Sequence, residues 1–376
     1  MPQSLNINAI RIAMRNAGLN ASTLARHVNV SREAVSQWFK GTKFPRPDKL
    51  LKMGMTLGLQ YNYIVNTVPE LHEPVIAFRK KGARKTKPEH IEKAKRIGSL
   101  LRRLAEYVPY DQLINPPTLQ EPVLEYGYIQ KVVLQIRSEL EVDSQEPIEY
   151  QQFIKEFNKL HAIIIPVLWG QKEQHENALH IYLPDSRTTW IYLNIDSSPH
   201  DFNFWMAHEL GHVYAPQLVG DEAENFADAF AEALLFPENA AKDLYMVVSK
   251  CRAESSIIKH IVSTAGKYAV APYTVYHALQ KYAEHHNLPV VTIENNIHAI
   301  TANIKEQSPK RISDLLFGYE DPTPGNYVSM TKELFQSDFF DILRTYNKKS
   351  SIPSAYLHEV LDMPLTDAKE LQRELC

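Results

Sequence analysis

The stretch Ser198-Pro199-His200-Asp201-Phe202-Asn203-Phe204-Trp205-Met206-Ala207-His208-Glu209-Leu210-Gly211-His212 reads as one helix. Ser198 is placed to cap it, Pro199 suits the first helical position, and Asp201 falls in the first turn, where free backbone N–H groups favour an acceptor. Residues four apart share a helix face, so His208 and His212 can bind one ion through neutral imidazole nitrogens. Glu209 lies about 100° round from His208. From there it reaches a water at the metal without being a ligand, which is the arrangement of two zinc ligands plus a general base. Two surface histidines on an amphipathic helix would show the same spacing. The apolar run Phe202, Phe204, Trp205 and Met206 argues instead that this helix is buried.

The next helix, Asp221-Glu222-Ala223-Glu224-Asn225-Phe226-Ala227-Asp228-Ala229-Phe230-Ala231-Glu232-Ala233-Leu234-Leu235-Phe236-Pro237, lines one side with Ala223, Phe226, Phe230 and Leu234. Glu224 and Asp228 share another face. A catalytic zinc takes three protein ligands and keeps an open position for water. Glu224 is the expected third ligand, with Glu222 as the fallback. Asp228 is expected to accept a hydrogen bond from the far nitrogen of a ligand histidine and fix its tautomer.

At this point the chain resembles the ImmA/IrrE metallopeptidase family. The resemblance rests on Ala207-His208-Glu209-Leu210-Gly211-His212, on Glu224-x-x-Ala227-Asp228-x-Phe230-Ala231-x-x-Leu234-Leu235-x-Pro237, and on Trp190-Ile191-Tyr192-Leu193-Asn194 just before the zinc helix. It covers roughly residues 145–285 and implies a zincin-like α+β domain that hydrolyses peptide bonds with Zn2+. One departure is visible. Family members often carry a histidine a few residues past the motif, where this chain has Val213-Tyr214-Ala215-Pro216. Tyr214 is the candidate here for a hydrogen-bond donor to the transition state.

Upstream, Ala162-Ile163-Ile164-Ile165-Pro166-Val167-Leu168 is strand-like after a helix over roughly 148–160. His180-Ile181-Tyr182-Leu183 and Thr189-Trp190-Ile191-Tyr192-Leu193 flank the turn residues Pro184-Asp185-Ser186-Arg187, which predicts a hairpin. An edge strand over 189–194 is expected to hold an extended peptide by strand addition. Trp169, His161, His175, His180, His277, His285 and His286 stand isolated and read as structural or surface positions.

Residues 7–65 read as short helices broken every ten residues or so, an all-α domain. Within it, Leu24-Ala25-x-x-Val28-x-Val30-Ser31-Arg32-x-Ala34-Val35-Ser36-x-Trp38-x-x-Gly41 has the packing logic of a helix-turn-helix. Small Ala25 permits a close crossing, Val30 and Val35 fill the corner, Trp38 anchors the second helix, Ser31 caps it and Gly41 ends it. The pattern resembles the Cro/repressor-like (XRE-type) DNA-binding domains. Arg32, Glu33, Ser36 and Gln37 would face a major groove, with Arg32 and Gln37 the best base readers. Ser22, Thr23, Lys40 and Lys43 would touch phosphates, which position a domain without reading sequence. The resemblance implies a double-stranded DNA operator as partner and a homodimer.

Charge points the same way. Residues 1–103 hold 20 Lys+Arg against 6 Asp+Glu, and the rest hold 21 against 38. A net +14 at the front suits a polyanion or a solvated charged linker, and its densest run, Arg79–Lys87, fits either non-specific backbone contacts or a soluble linker. No apolar run approaches the ~18 residues of a membrane span, and Met1–Asn6 shows no secretory signal. Two distant cysteines, Cys251 and Cys376, make no disulfide framework and fit a reducing cytoplasm.

The expected organisation is multidomain. An all-α helix-turn-helix domain spans 1–65, a basic linker and helical connector 66–124, an α+β zincin-like metallopeptidase domain 125–286, and a helical C-terminal region 287–376. The expected function is that of a DNA-binding regulator whose zinc-dependent endopeptidase domain cleaves a protein partner, such as a repressor or an antitoxin. The rival is a transcription factor whose zinc domain senses a ligand and cuts nothing.

Overall fold

In a computed structural model the chain divides into two units, Met1–His72 and Glu73–Cys376. The structure describes residues 4–59, 64–66, 73–77, 88–109, 118–170, 178–293, 297, 299–302, 311–318 and 320–376. The basic run 78–87 and His175 lie outside the described residues.

The first unit holds α1 (Ile7–Asn16), α2 (Ala21–Val28), α3 (Arg32–Phe39) and α4 (Pro47–Leu57), with β1 (Ser4–Leu5) paired antiparallel to β2 (Val65–Asn66). Local capping explains the short helices. The Asn20 side chain accepts from the backbone N–H groups of Ser22 and Thr23, and Ser31 Oγ accepts from Ala34 N at 3.1 Å. Between α2 and α3, Asn29 takes the left-handed conformation (φ 55°, ψ 60°), one of the few residues besides glycine that does so readily. Ile10, Leu24, Val28, Val35, Trp38, Leu50 and Met53 form the core.

The second unit is built on a four-stranded mixed sheet in the order β3-β5-β6-β4, from β3 (Val75–Ala77), β4 (Ala162–Val167), β5 (Ala178–Leu183) and β6 (Thr188–Asn194). β5 and β6 form an antiparallel hairpin closed at Leu183 and Thr188, with Arg187 at φ 57° in the turn. β4 runs parallel to β6. Every residue of β6 is buried. Alternation of polar and apolar residues is absent there because helices cover both faces of the sheet.

On one face lie α5 (Pro88–Ala105), α15 (Phe339–Ser350) and α16 (Ser354–Leu361). Trp190 meets the edge of Phe339, and the Tyr192 hydroxyl donates to the Val360 carbonyl at 3.0 Å. The Trp169 indole N–H donates to the Leu361 carbonyl. The opposite face carries α8 (Pro199–Tyr214), which packs along α9 (Gly220–Leu235) and α7 (Tyr150–Lys159). α6 (Tyr126–Glu139) packs on α9, and α10 (Glu238–Val248), α11 (Glu254–Tyr268) and α12 (Pro272–His285) continue the helical layer. No described helix is long and apolar enough to cross a membrane.

Two expectations about organisation are corrected. Part of the span read as linker and connector belongs to this unit. Val75–Ala77 pairs with β5, and Ala94, Ile97, Leu101 and Leu104 of α5 are buried in the common core. The C-terminal helices join the same core through Phe339, Leu357 and Val360. The apolar face of each amphipathic helix needs a partner, and the sheet face opposite α8 supplies it.

The end of α9 is fixed by Arg137, which is buried. It donates to the carbonyl of Leu234 at the end of α9 and to those of Asp143 and Glu146 in the loop after α6, placing a positive charge at a helix C-terminus. Arg137→Ala leaves these acceptors unsatisfied in the interior. We expect it to lower unfolding stability by about 2–4 kcal/mol, measured as the shift of the urea midpoint.

Candidate metal centre

Five side chains from two adjacent helices build the centre. α8 begins at Ser198, whose Oγ accepts from Asp201 N, with Pro199 in the first turn. His208, Glu209 and His212 follow in its second half, all buried. α9 crosses α8 closely because Gly211 carries no side chain. A Cβ there would stand 3.1 Å from the Ala227 Cα and 3.2 Å from the Phe230 ring. This close approach brings Glu224 and Asp228 to the histidines. Gly211→Val should push α9 outward, lower stability by about 1–3 kcal/mol, and separate the carboxylate from the imidazoles. Thermal melting with a zinc titration reads both effects.

His208 Nε2 and His212 Nε2 lie 3.1 Å apart, and each is 3.5 Å from one Glu224 oxygen. Zinc–ligand distances of ~2.0–2.2 Å in a tetrahedron place neighbouring donor atoms roughly 3.3–3.5 Å from each other. Two imidazoles and a carboxylate with this convergence therefore fit a zinc ion. Glu222 is exposed and does not join the group, so the fallback ligand is set aside in favour of Glu224. Asp228 Oδ1 lies 2.9 Å from His208 Nδ1. With Nδ1–H donating to that carboxylate, the Nε2 lone pair is directed at the centre.

The electrostatics agree with a cation at this point. Burial pulls the His208 pKa down, but Asp228 and Glu224 outweigh it and raise the pKa to about 9. His212 is held well below the ordinary imidazole range by burial, then by His208 and His180. The carboxylates call for one positive charge that both rings cannot carry together, and a dication supplies it while leaving the imidazoles neutral.

Three positions depart from expectation. Tyr214, the candidate transition-state donor, points away from the centre: its hydroxyl donates to Glu156 Oε1 at 2.6 Å in the core between α7 and α8. Two residues after His212 a helical side chain is turned about 200° round the axis, so the spacing already argued against that role. Strand 189–194 is not an edge: β6 lies between β5 and β4. The outer carbonyls of β4 at Pro166 and Ile164 accept from the hydroxyls of Tyr327 and Ser337, and β5 is paired on its other side by β3.

The third is His180, taken above as structural or surface. It lies at the middle of β5, 2% exposed, with its ring stacked on His212 at 5.6 Å between centroids. Among the described residues its buried Nε2 has no hydrogen-bond partner, a state that costs about 1–3 kcal/mol when nothing compensates it. Burial, and secondarily His208, lower its pKa to about 3, so the ring is neutral. The signal was available in the sequence. A histidine within Ala178-Leu179-His180-Ile181-Tyr182-Leu183, a strand apolar on both faces, has no solvent to meet. Of the other isolated positions, His277 meets Glu232 and His286 meets Glu238.

In the first unit, Arg32, Glu33, Ser36, Lys40 and Lys43 are exposed, and Gln37 is half-buried. All but Lys43 lie on α3 or at its end.

No curated protein and no solved structure matches the chain. Residues 164–246, which contain β5, β6 and the five side chains of the centre, match the family model of the IrrE N-terminal-like domain, peptidase family M78, so this part of the chain is similar to ImmA/IrrE-like metallopeptidase domains.

Proposed function

We propose that this protein is a cytoplasmic transcriptional regulator that binds an operator through its first unit and cleaves a protein partner, a repressor or an antitoxin, at a zinc centre in its second. The observation that carries the enzymatic half is the buried convergence of His208, His212 and Glu224, with Glu209 one residue from the first ligand. Zinc binding alone has no need of Glu209.

A zinc ion held by His208, His212 and Glu224 would acidify a water and polarise a peptide carbonyl. Glu209 takes a proton from the attacking water as the O–C bond forms. It gives that proton to the amide nitrogen as the C–N bond breaks, leaving a carboxylic acid and an amine. Asp228 holds the His208 ring in orientation throughout.

The DNA-binding half is supported by the exposed polar face of α3 and by the basic balance of the first unit, where residues 1–72 hold 9 Lys+Arg against 3 Asp+Glu. Arg32→Ala is expected to weaken specific binding by ~1–3 kcal/mol through loss of a bidentate base contact. Fluorescence anisotropy on the operator and on random DNA reads this; equal loss on both removes Arg32 from sequence reading. The operator itself comes from sequencing the DNA that the purified chain retains.

The test of the whole is a comparison of protein termini in cells carrying the wild-type and the Glu209→Gln chains under inducing conditions. A new terminus in a repressor or antitoxin, present only with wild type, is the expected result. Normal induction by zinc-loaded Glu209→Gln protein, with no new terminus in either strain, leaves a DNA-binding sensor that cuts nothing.

A further inference from the structure

His180 lies against the metal centre, stacked on His212, and the reaction above does not use it. We propose that it is a catalytic residue of that site, donating a hydrogen bond from Nε2 to the substrate's peptide carbonyl oxygen as negative charge gathers there. The inference rests on the hydrolytic reading and deepens it.

Hydrolysis at a peptide carbonyl moves charge onto the carbonyl oxygen, and a fixed donor in a water-poor site stabilises that oxygen more in the transition state than in the planar substrate. Two side-chain donors near the centre are already committed. The Tyr214 hydroxyl is spent on Glu156 and the His208 Nδ1–H faces Asp228. His180 is not: its Nε2 is buried with no hydrogen-bond partner among the described residues.

Packing does not account for it. An apolar side chain would fill the space beside His212 without burying a polar nitrogen, and buried polar atoms without partners are few in folded proteins. Ligation does not account for it either, because the convergent donor group is His208, His212 and Glu224 without His180. What remains is a ring stacked against a metal-ligating imidazole, held rigidly in the middle of a paired strand. From β5, with β6 on one side and β3 on the other, it cannot drift. Such a support suits a donor that must be in place before charge develops.

The test uses the full-length, zinc-loaded chain and two synthetic probes: a phosphinic tetrapeptide, whose tetrahedral phosphorus carries anionic oxygens, and the planar peptide of the same sequence. His180→Phe keeps the ring and removes the donor; His180→Gln restores an N–H. Calorimetry is expected to show roughly 10²-fold weaker phosphinate binding for His180→Phe, less than about threefold change for the planar peptide, unchanged zinc per chain, and partial recovery in His180→Gln. Unchanged phosphinate affinity, or equal weakening of both probes, overturns the proposal, as does loss of zinc, which would make His180 a support for His212. If His180→Phe fails to fold, the same comparison of wild type with His180→Gln decides, with full loss in that variant counting against the donor role. Wild type that holds zinc yet binds neither probe removes the hydrolytic reading, and this role with it.

Discussion

Glu209→Gln protein is expected to fold, to hold its zinc and to lose about 10²–10⁴ in cleavage rate. The two side chains have nearly the same shape, and Glu209 is buried on α8 beside His208 without belonging to the convergent ligand group. The amide cannot accept a proton from water, so the loss falls on the chemical step and KM moves little. A variant that loses zinc together with rate would instead mean that Glu209 helps to hold the metal. Single-turnover cleavage of the partner found by the terminal comparison, with zinc measured on the same sample, separates the two.

His208→Ala is expected to abolish both zinc binding and activity. The other changes at the centre grade below it. Asp228→Ala keeps all three ligands but frees the His208 ring, and a loss of 10–100-fold in zinc affinity is expected from removing such a partner. Zinc also stabilises the fold by mass action. At a free concentration a thousandfold above Kd the gain is ~4 kcal/mol, so chelator should lower the melting temperature of wild type and leave His208→Ala unmoved. Ligand imidazoles must be unprotonated to bind, and in the metal-free chain Asp228 and Glu224 outweigh burial and raise the His208 pKa to about 9, so apparent zinc affinity is expected to fall as pH drops below about 9. A melting temperature indifferent to chelator in wild type would count against the centre.

Local chemistry explains what was legible in the sequence. Ser198, Pro199 and Asp201 mark the start of α8, and the expected hairpin appears because Pro184–Arg187 supplies a turn between two apolar runs. The His208, His212, Glu224 and Asp228 set could be drawn from helical spacing once two adjacent helices were assumed. Strand order could not be drawn that way. Nothing in Thr189–Leu193 distinguishes a central strand from an edge, because the pattern records burial and not which neighbour provides it. The same limit hid β3, and the packing of α5 on the sheet, within a stretch read as a basic linker and helical connector, and hid the covering role of the C-terminal helices. His180 and Gly211 were visible only as residues out of place. One was a polar ring in an apolar strand, the other a glycine inside a helix, where it costs ~1 kcal/mol against alanine unless a close crossing requires it.

Zinc-edge X-ray absorption on the full-length chain, purified without added metal, tests the centre most directly. One zinc per chain is predicted, with two imidazole nitrogens at ~2.0–2.1 Å and oxygen donors at ~2.0–2.2 Å, one of the oxygens exchangeable with solvent, and with the signal lost in Glu224→Ala. A chain that carries no zinc, a coordination shell containing sulfur, or a shell unchanged by Glu224→Ala would contradict it.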